Sequence, residues 1–222
     1  MTIFLYDVYR TPNIGIFMKS SENFLLIPMG YSPSKSQKMA ECLGLKPINT
    51  SMSGTRLLGP LIAMNSNGIL VSGLADEIEL ELLRKGTGLA VERFSSPFTA
   101  TGNLFLVNDR GALASSMLGE KEIDQAKRVF GVRVVRGNIA GYHQVGSVGY
   151  ATNRGVLIHP NASKSDIETV ASALESDVEV GSVNGGVPFV SSGIIGKVGN
   201  VIVGRGTMGP ELFIIGKVFK AN

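Results

Sequence analysis

The amino-acid sequence predicts an α/β fold: a single domain of five ββαβ repeats, arranged as a closed five-bladed ring. Three observations lead there. The segments AMNSNGILVS (63–72), LVNDRGALAS (106–115) and YATNRGVLIH (150–159) align without gaps, placing Gly68, Gly111 and Gly155 43 and 44 residues apart. The same step runs back to Asn23 and forward to Asn200, so five units of about 44 residues fill the 222-residue chain. Finally, the fifth unit lacks a closing strand, and the opening residues offer one.

Each unit begins with a hairpin: an apolar strand, a short polar turn and a second apolar strand. Gly and Asn best tolerate a positive φ, so the repeated position is expected to end each hairpin turn in the left-handed region. Gly59, Gly102 and Gly146 stand nine residues earlier and are expected to start the first strand; Gly15 and Ser191 hold that place in units one and five. A helix follows. Ile167, Val170, Ala171 and Leu174 have helical spacing behind a Ser163–Asp166 capping box. Ile123, Ala126, Val129 and Phe130 repeat the pattern, Ile78, Leu82 and Leu83 follow Asp76, and Met39, Cys42 and Leu43 follow a Ser34–Gln37 box. A strand then closes the unit, at Ile48, Leu89–Arg93, Val132–Arg136 and Val178–Val180. In unit five the helix is expected over Glu211–Phe219, with three residues after it, while Ile3–Asp7 lies at the closing strand's distance ahead of Gly15. The N-terminal strand is therefore expected to complete the last unit, which removes the exposed edges of an open array. The expected repeats are 10–50, 55–94, 98–137, 142–181 and 188–222 plus 1–8, within one domain over 1–222.

At 44% apolar and 18% charged, the chain can fill a core and has too little charge for a long disordered tract. Its 28 glycines, nearly twice the usual ~7%, suit many tight turns. One Cys excludes a disulfide framework or a Cys-rich zinc site, and two His exclude a three-His metal centre. The opening MTIFLYDVYRTP lacks the basic and apolar regions of a secretion signal, and no long uncharged apolar run occurs. A soluble, cytoplasmic protein is expected, in which the sequons at Asn49 and Asn161 are incidental.

Little catalytic chemistry stands out. Gly204-Arg205-Gly206-Thr207-Met208-Gly209 is a literal GxGxxG after a strand, but too little chain follows for a second strand and its acidic residue. It reads as a turn into a helix with Pro210 at the first position. Cys42 has a core-facing spacing, His143 lies in the glycine-rich 137–149 stretch, and His159 precedes Pro160. The net charge is +3, with six basic and two acidic residues over 121–160 against two and five over 161–200. Basic and acidic sectors of this size can meet a mixed RNA–protein surface or be ordinary solvated surface. These residues alone suggest a binding protein and leave its partner unnamed.

Four segments go further. GNLFLVNDRGALAS (102–115), NRGVLIHP (153–160), GSVN (181–184) and GTMGPELFIIGKVF (206–219) resemble archaeal and eukaryotic translation initiation factor 6, and the resemblance runs through the whole chain in order. Without the polar tail of eukaryotic members, the sequence looks archaeal. The resemblance implies a pentein fold, a five-fold pseudo-symmetric α/β propeller, and a function without catalysis or cofactor. It implies binding to the large ribosomal subunit, near the sarcin–ricin loop and neighbouring ribosomal proteins, which blocks the small subunit. In eukaryotes it also implies a part in large-subunit maturation. No membrane, metal or small-molecule substrate is implied, and a monomer is expected. Asn103 matches a family position on the ribosome-facing side. By place in the repeat, Asn13, Arg56, Gln144 and Ser192 should share that face, with Phe189 and the Gly209, Pro210, Glu211 and Leu212 of the GPEL stretch as further candidates. The same architecture hosts amidinotransferases and deiminases, the alternative reading. These guanidine-modifying enzymes need a channel Cys with His and acidic partners, whereas Cys42 falls on a helix.

Overall fold

The chain opens with β1 (Thr2–Tyr6). Unit one comprises α1 (Ile14–Phe17), β2 (Lys19–Ser20), β3 (Phe24–Pro28), α2 (Pro33–Leu43) and β4 (Lys46–Thr50). Unit two comprises α3 (Leu58–Leu61), β5 (Ile62–Met64), β6 (Gly68–Val71), α4 (Glu77–Thr87) and β7 (Ala90–Arg93). Unit three comprises α5 (Thr101–Leu104), β8 (Phe105–Val107), β9 (Gly111–Ser115), α6 (Glu120–Phe130) and β10 (Arg133–Gly137). Unit four has β11 (Gly149–Ala151), β12 (Gly155–Ile158), α7 (Lys164–Leu174) and β13 (Asp177–Val180). Unit five runs from a 3-10 turn (Val190–Gly193) through β14 (Ile194–Lys197) and β15 (Asn200–Gly204) to α8 (Gly209–Phe219). The structure, a computed structural model, describes residues 2–219; Met1 and residues 220–222, assigned above to the last repeat, lie outside the described residues.

These strands form five three-stranded sheets, none closed on itself. In each, the hairpin is antiparallel, and the third strand returns after the helix to lie parallel beside the second. In unit five that third strand is β1, in parallel register with β15 from Thr2↔Asn200 to Tyr6↔Gly204. The opening residues thus complete the last sheet, as expected.

The middle strands are apolar because both of their faces are covered. Every residue of β6, β9 and β12 is buried. Alternation sends their side chains to two cores: Leu70 packs with Phe94, Phe105 and Phe130, while Ile69 and Val71 pack with Leu26, Leu80 and Leu83. Each helix therefore fills the space between its own sheet and the preceding one. In α2, Met39 and Leu43 pack on Leu25 of sheet one and on Ile195 and Ile202 of sheet five. Burying such a side chain fully stabilises by about 1.5–3 kcal/mol.

The marker glycines are where the repeat placed them, for a different reason. None of Gly68, Gly111 and Gly155 has a positive φ. A Cβ on each would instead come within 2.2 Å of Val129 O, 1.9 Å of Ala173 O and 2.5 Å of Val218 O, in the last turn of the next unit's helix. Glycine is needed for close approach. In unit one the position matching Gly68 is Phe24, one residue beyond Asn23, since Phe24 pairs with Lys46 as Gly68 does with Ala90. There the helix carries the glycine: Gly86 of α4 occupies the penultimate position held by Val129 and Ala173 in α6 and α7. Strand and helix have exchanged bulk.

The earlier markers also differ from expectation. Gly15, Gly59 and Gly102 lie in the one-turn helices α1, α3 and α5, before the first strand. A Cβ on Gly59 would be 1.9 Å from Gly15 O, on Gly102 2.0 Å from Gly59 O, and on Gly146 2.1 Å from Gly102 O. Ser191 donates through its hydroxyl to Ser147 O at 2.9 Å, and a Cβ on Gly15 would be 1.9 Å from Ser191 O. The sequence of contacts returns to the unit it began in. Four-residue helices have too few turns to register as apolar spacing, so periodicity missed them.

Helix starts follow local chemistry. The capping boxes Asp76–Glu79 and Ser163–Asp166 form. The Ser34–Gln37 box does not: α2 starts after Ser32 with Pro33 first, and Gln37 donates to Glu41. Helix α8 begins at Gly209, ahead of the expected Glu211, which makes Pro210 its second residue.

A candidate interaction site at the loop end

Because the second and closing strands of a unit are parallel, the helix N-terminus after one and the inter-unit loop after the other emerge at the same end of the sheet. First-turn carboxylates hold the loops there. Glu79 accepts from the Ser51 hydroxyl (2.8 Å) and the Ser53 and Gly54 N–H groups (2.8 and 3.1 Å). Glu211 does the same for its loop, accepting from the Ser182 hydroxyl (2.7 Å) and the Gly185 and Gly186 N–H groups (3.0 and 2.9 Å). The loops so held carry Ser53, Asn184 and, where Asp166 accepts from the Ala140 N–H (3.2 Å), Ala140 at positive φ, a costly state for a side-chain-bearing residue.

Glu211, one of the sequence candidates, is therefore buried and fully engaged by its own chain. Burial raises its pKa, but hydrogen bonds from Met208 N–H, Ser182 and the two glycine N–H groups outweigh that and hold it below the ordinary carboxylate value. A depressed folded value means stability that is complete above the unfolded pKa and is lost as pH falls through the folded one. Glu211→Gln is expected to lower unfolding stability by ~1–3 kcal/mol at pH 7. In urea titrations the difference from the parent should shrink as pH falls below 4 (~4.3 unfolded).

The other candidates fall into three groups. Asn103, Phe189 and Ser192 line one central cavity of about 200 Å³, to which all five units contribute, with Gly15, Pro60 and Ser147 among its walls. Asn103 sits in α5, where its carbonyl accepts from Gly146 N–H at 2.9 Å. Its side chain makes no hydrogen bond among the described residues. Phe189 is exposed at the rim, edge-on to Tyr142 at 5.6 Å.

Arg56, Asn13 and Gln144 belong to the loops. Arg56 is exposed and lies 5.4 Å over the Tyr9 ring, which packs edge-on against Phe17 and Tyr31. Asn13 precedes α1 and lies within 3.5 Å of Asn184, whose side chain donates to Pro12 O. Gln144 is exposed, and its carbonyl accepts from the Ser147 hydroxyl. Gly209, Pro210 and Leu212 form the first turn of α8 beside Glu211, the two former exposed.

Reading by sequence missed the Tyr9–Arg56 cluster and Lys19, which also lines the cavity. An aromatic residue near an arginine 47 positions away carries no local signal.

The basic sector over 121–160 is largely neutralised. Lys127, Arg128, Arg136 and Arg154 pair with Asp124, Glu92, Glu120 and Asp177. Cys42 is half-buried at the penultimate position of α2, a packing place in the sister helices. His143 is exposed beside Ser116 and Asn138, and His159 is buried, its Nδ1 accepting from Asn161 N–H. The described residues contain no cluster of three or more His, Cys, Asp or Glu able to hold a metal, and no helix long and apolar enough to cross a membrane.

Five α/β units that all line one cavity, with loops held by carboxylates at one end, define a repeat-built α/β protein. The eIF-6 family model matches residues 3–218, and the chain belongs to that family. It is 39% identical to translation initiation factor 6 of Nitrosopumilus maritimus and 37% identical to that of Cenarchaeum symbiosum, each alignment covering 99% of both chains. The Pyrococcus horikoshii protein of that name is 36% identical over 93% of each chain.

Proposed function

We propose that the protein is a translation initiation factor that binds the large ribosomal subunit through its loop end and so prevents the small subunit from joining. What supports this is the match over nearly the whole chain to relatives named translation initiation factor 6. In this reading the five units close into one five-bladed propeller, a single domain acting as a monomer in the cytoplasm. Function comes from occupancy, without catalysis: a rigid body covering ~800 Å² of its partner suffices for a specific complex that excludes a competitor. The contacts lie with rRNA and ribosomal proteins near the sarcin–ricin loop, and a role in large-subunit maturation is compatible with them. Asn103, Asn13, Arg56, Gln144, Phe189 and Ser192 supply the contacting face, together with the first turn of α8 at Gly209, Pro210 and Leu212. Glu211 serves that face by holding the 182–186 loop.

The test is sedimentation with separated ribosomal subunits at low salt. The protein is expected to travel with large subunits and not with small ones; free protein at the top of both gradients refutes the reading. Asn103→Ser is expected to weaken co-sedimentation at least several-fold with Tm unchanged, since its side chain makes no hydrogen bond among the described residues. A parallel fall in Tm would instead make Asn103 a structural residue.

A further inference from the structure

The central cavity contains a positive charge that no described group neutralises. Register aligns Lys19 of β2 with Ala63, Leu106, Tyr150 and Ile195 of the other hairpins. Those four are all buried in the apolar cores. A lysine in their place makes no ion pair or hydrogen bond among the described residues, and it lines the cavity. Burial lowers its pKa to about 8, which leaves it mostly protonated at neutral pH. On the same lining, the Ser192 hydroxyl is buried and has no partner among the described residues. Tyr150 reaches in from unit four, its hydroxyl 2.8 Å from Ser20 of unit one and donating to Gly196 O of unit five at 2.8 Å. The remaining lining is largely apolar, including Ile16, Pro60 and Ile195.

We propose that this cavity binds a small organic anion, one carboxylate on a compact apolar body, with Lys19 as its counter-charge and Ser192 as a hydrogen-bond donor. An unpaired ammonium and an unsatisfied hydroxyl lining one cavity both cost free energy that a carboxylate recovers. A single cation with one free hydroxyl suits a monoanion better than a phosphate dianion, which calls for several charged donors. The apolar walls take the body. At about 200 Å³ the volume is below the ~300 Å³ at which ordinary ligand pockets begin, so the ligand is a short-chain or single-ring acid. Tyr150 is the other titratable side chain on this lining, and burial keeps its phenol neutral by raising its pKa. Glu22, beyond Ser20, has its carboxylate engaged by the Asn153 and Val198 N–H groups.

The experiment titrates benzoate into isotope-labelled protein, followed by amide chemical shifts, with benzamide and inorganic phosphate in parallel. Benzoate is expected to shift signals around Lys19, Asn103 and Ser192 saturably, and benzamide, of the same shape without the charge, to leave them unmoved. The Kd should rise about 30-fold between pH 7 and pH 9.5 as Lys19 loses its proton. Lys19→Met should abolish binding and Ser192→Ala weaken it several-fold. Methionine matches the apolar residues of the sister positions, so that variant should fold with a Tm at or above the parent's, and the pH series on the unaltered protein stands without it. Benzoate binding that survives Lys19→Met, is indifferent to pH, or is equalled by benzamide overturns the proposal. Saturable phosphate binding with benzoate inert overturns the assigned ligand class.

Discussion

Deletion of residues 2–8 is expected to abolish cooperative unfolding, leaving a chain that melts without a sharp transition. Strand β1 is the third strand of the last sheet, paired to β15 over five positions. Its side chains serve two cores: Ile3 packs with the cluster of Val201 and Phe219, Phe4 and Tyr6 with that of Met39 and Ile202, and Val8 just beyond is fully buried. Losing them removes roughly 5 kcal/mol or more, a large share of the 5–15 kcal/mol of net stability usual for a domain. It also bares β15 as an unpaired edge open to aggregation. Differential scanning calorimetry and near-ultraviolet circular dichroism report the outcome; a truncated protein with an unchanged Tm would show that β1 is dispensable.

Gly102→Ala is expected to be nearly as damaging, costing ~3 kcal/mol or more or preventing folding. The added methyl would lie 2.0 Å from Gly59 O and 2.7 Å from Ile62 O, both main-chain atoms of the neighbouring unit. Neither can rotate away, so whole units must shift, as in other overpacked sites. Gly209→Ala is the matched control, because a Cβ there meets no described residue within 4 Å. It should leave stability within ~1 kcal/mol of the parent, the scale of helix propensity. Thermal unfolding of the two variants side by side makes the comparison. Equal effects would assign the Gly102 cost to backbone entropy and not to contact.

The five-fold repeat was legible because close packing leaves glycine no substitute where a helix end meets a strand, as at Gly68, Gly111 and Gly155. The cause was not legible. A glycine needed for a left-handed turn and one needed for close approach look alike in one dimension, and only the distances to Val129, Ala173 and Val218 separate them. Phe24 escaped for a related reason, since the compensating Gly86 lies on another element 62 residues away. At the loop end, motif resemblance offered Glu211 as a further candidate beside Asn103. A motif cannot tell a carboxylate turned inward onto Gly185 and Gly186 from a side chain left without a partner. Lys19 went unnoticed because one basic residue beside a short strand looks like surface until register places it among Ala63, Leu106, Tyr150 and Ile195.

The pairing of β1 with β15 also governs when the molecule can be finished. Those strands are separated by almost the full length of the polypeptide, so during synthesis the leading segment has nothing to pair with until residues 200–204 have left the ribosome. Completion is thus a late step. A circular permutant that moves residues 2–8 behind α8 would put both halves of that sheet late in the chain and convert a long-range search into a local one.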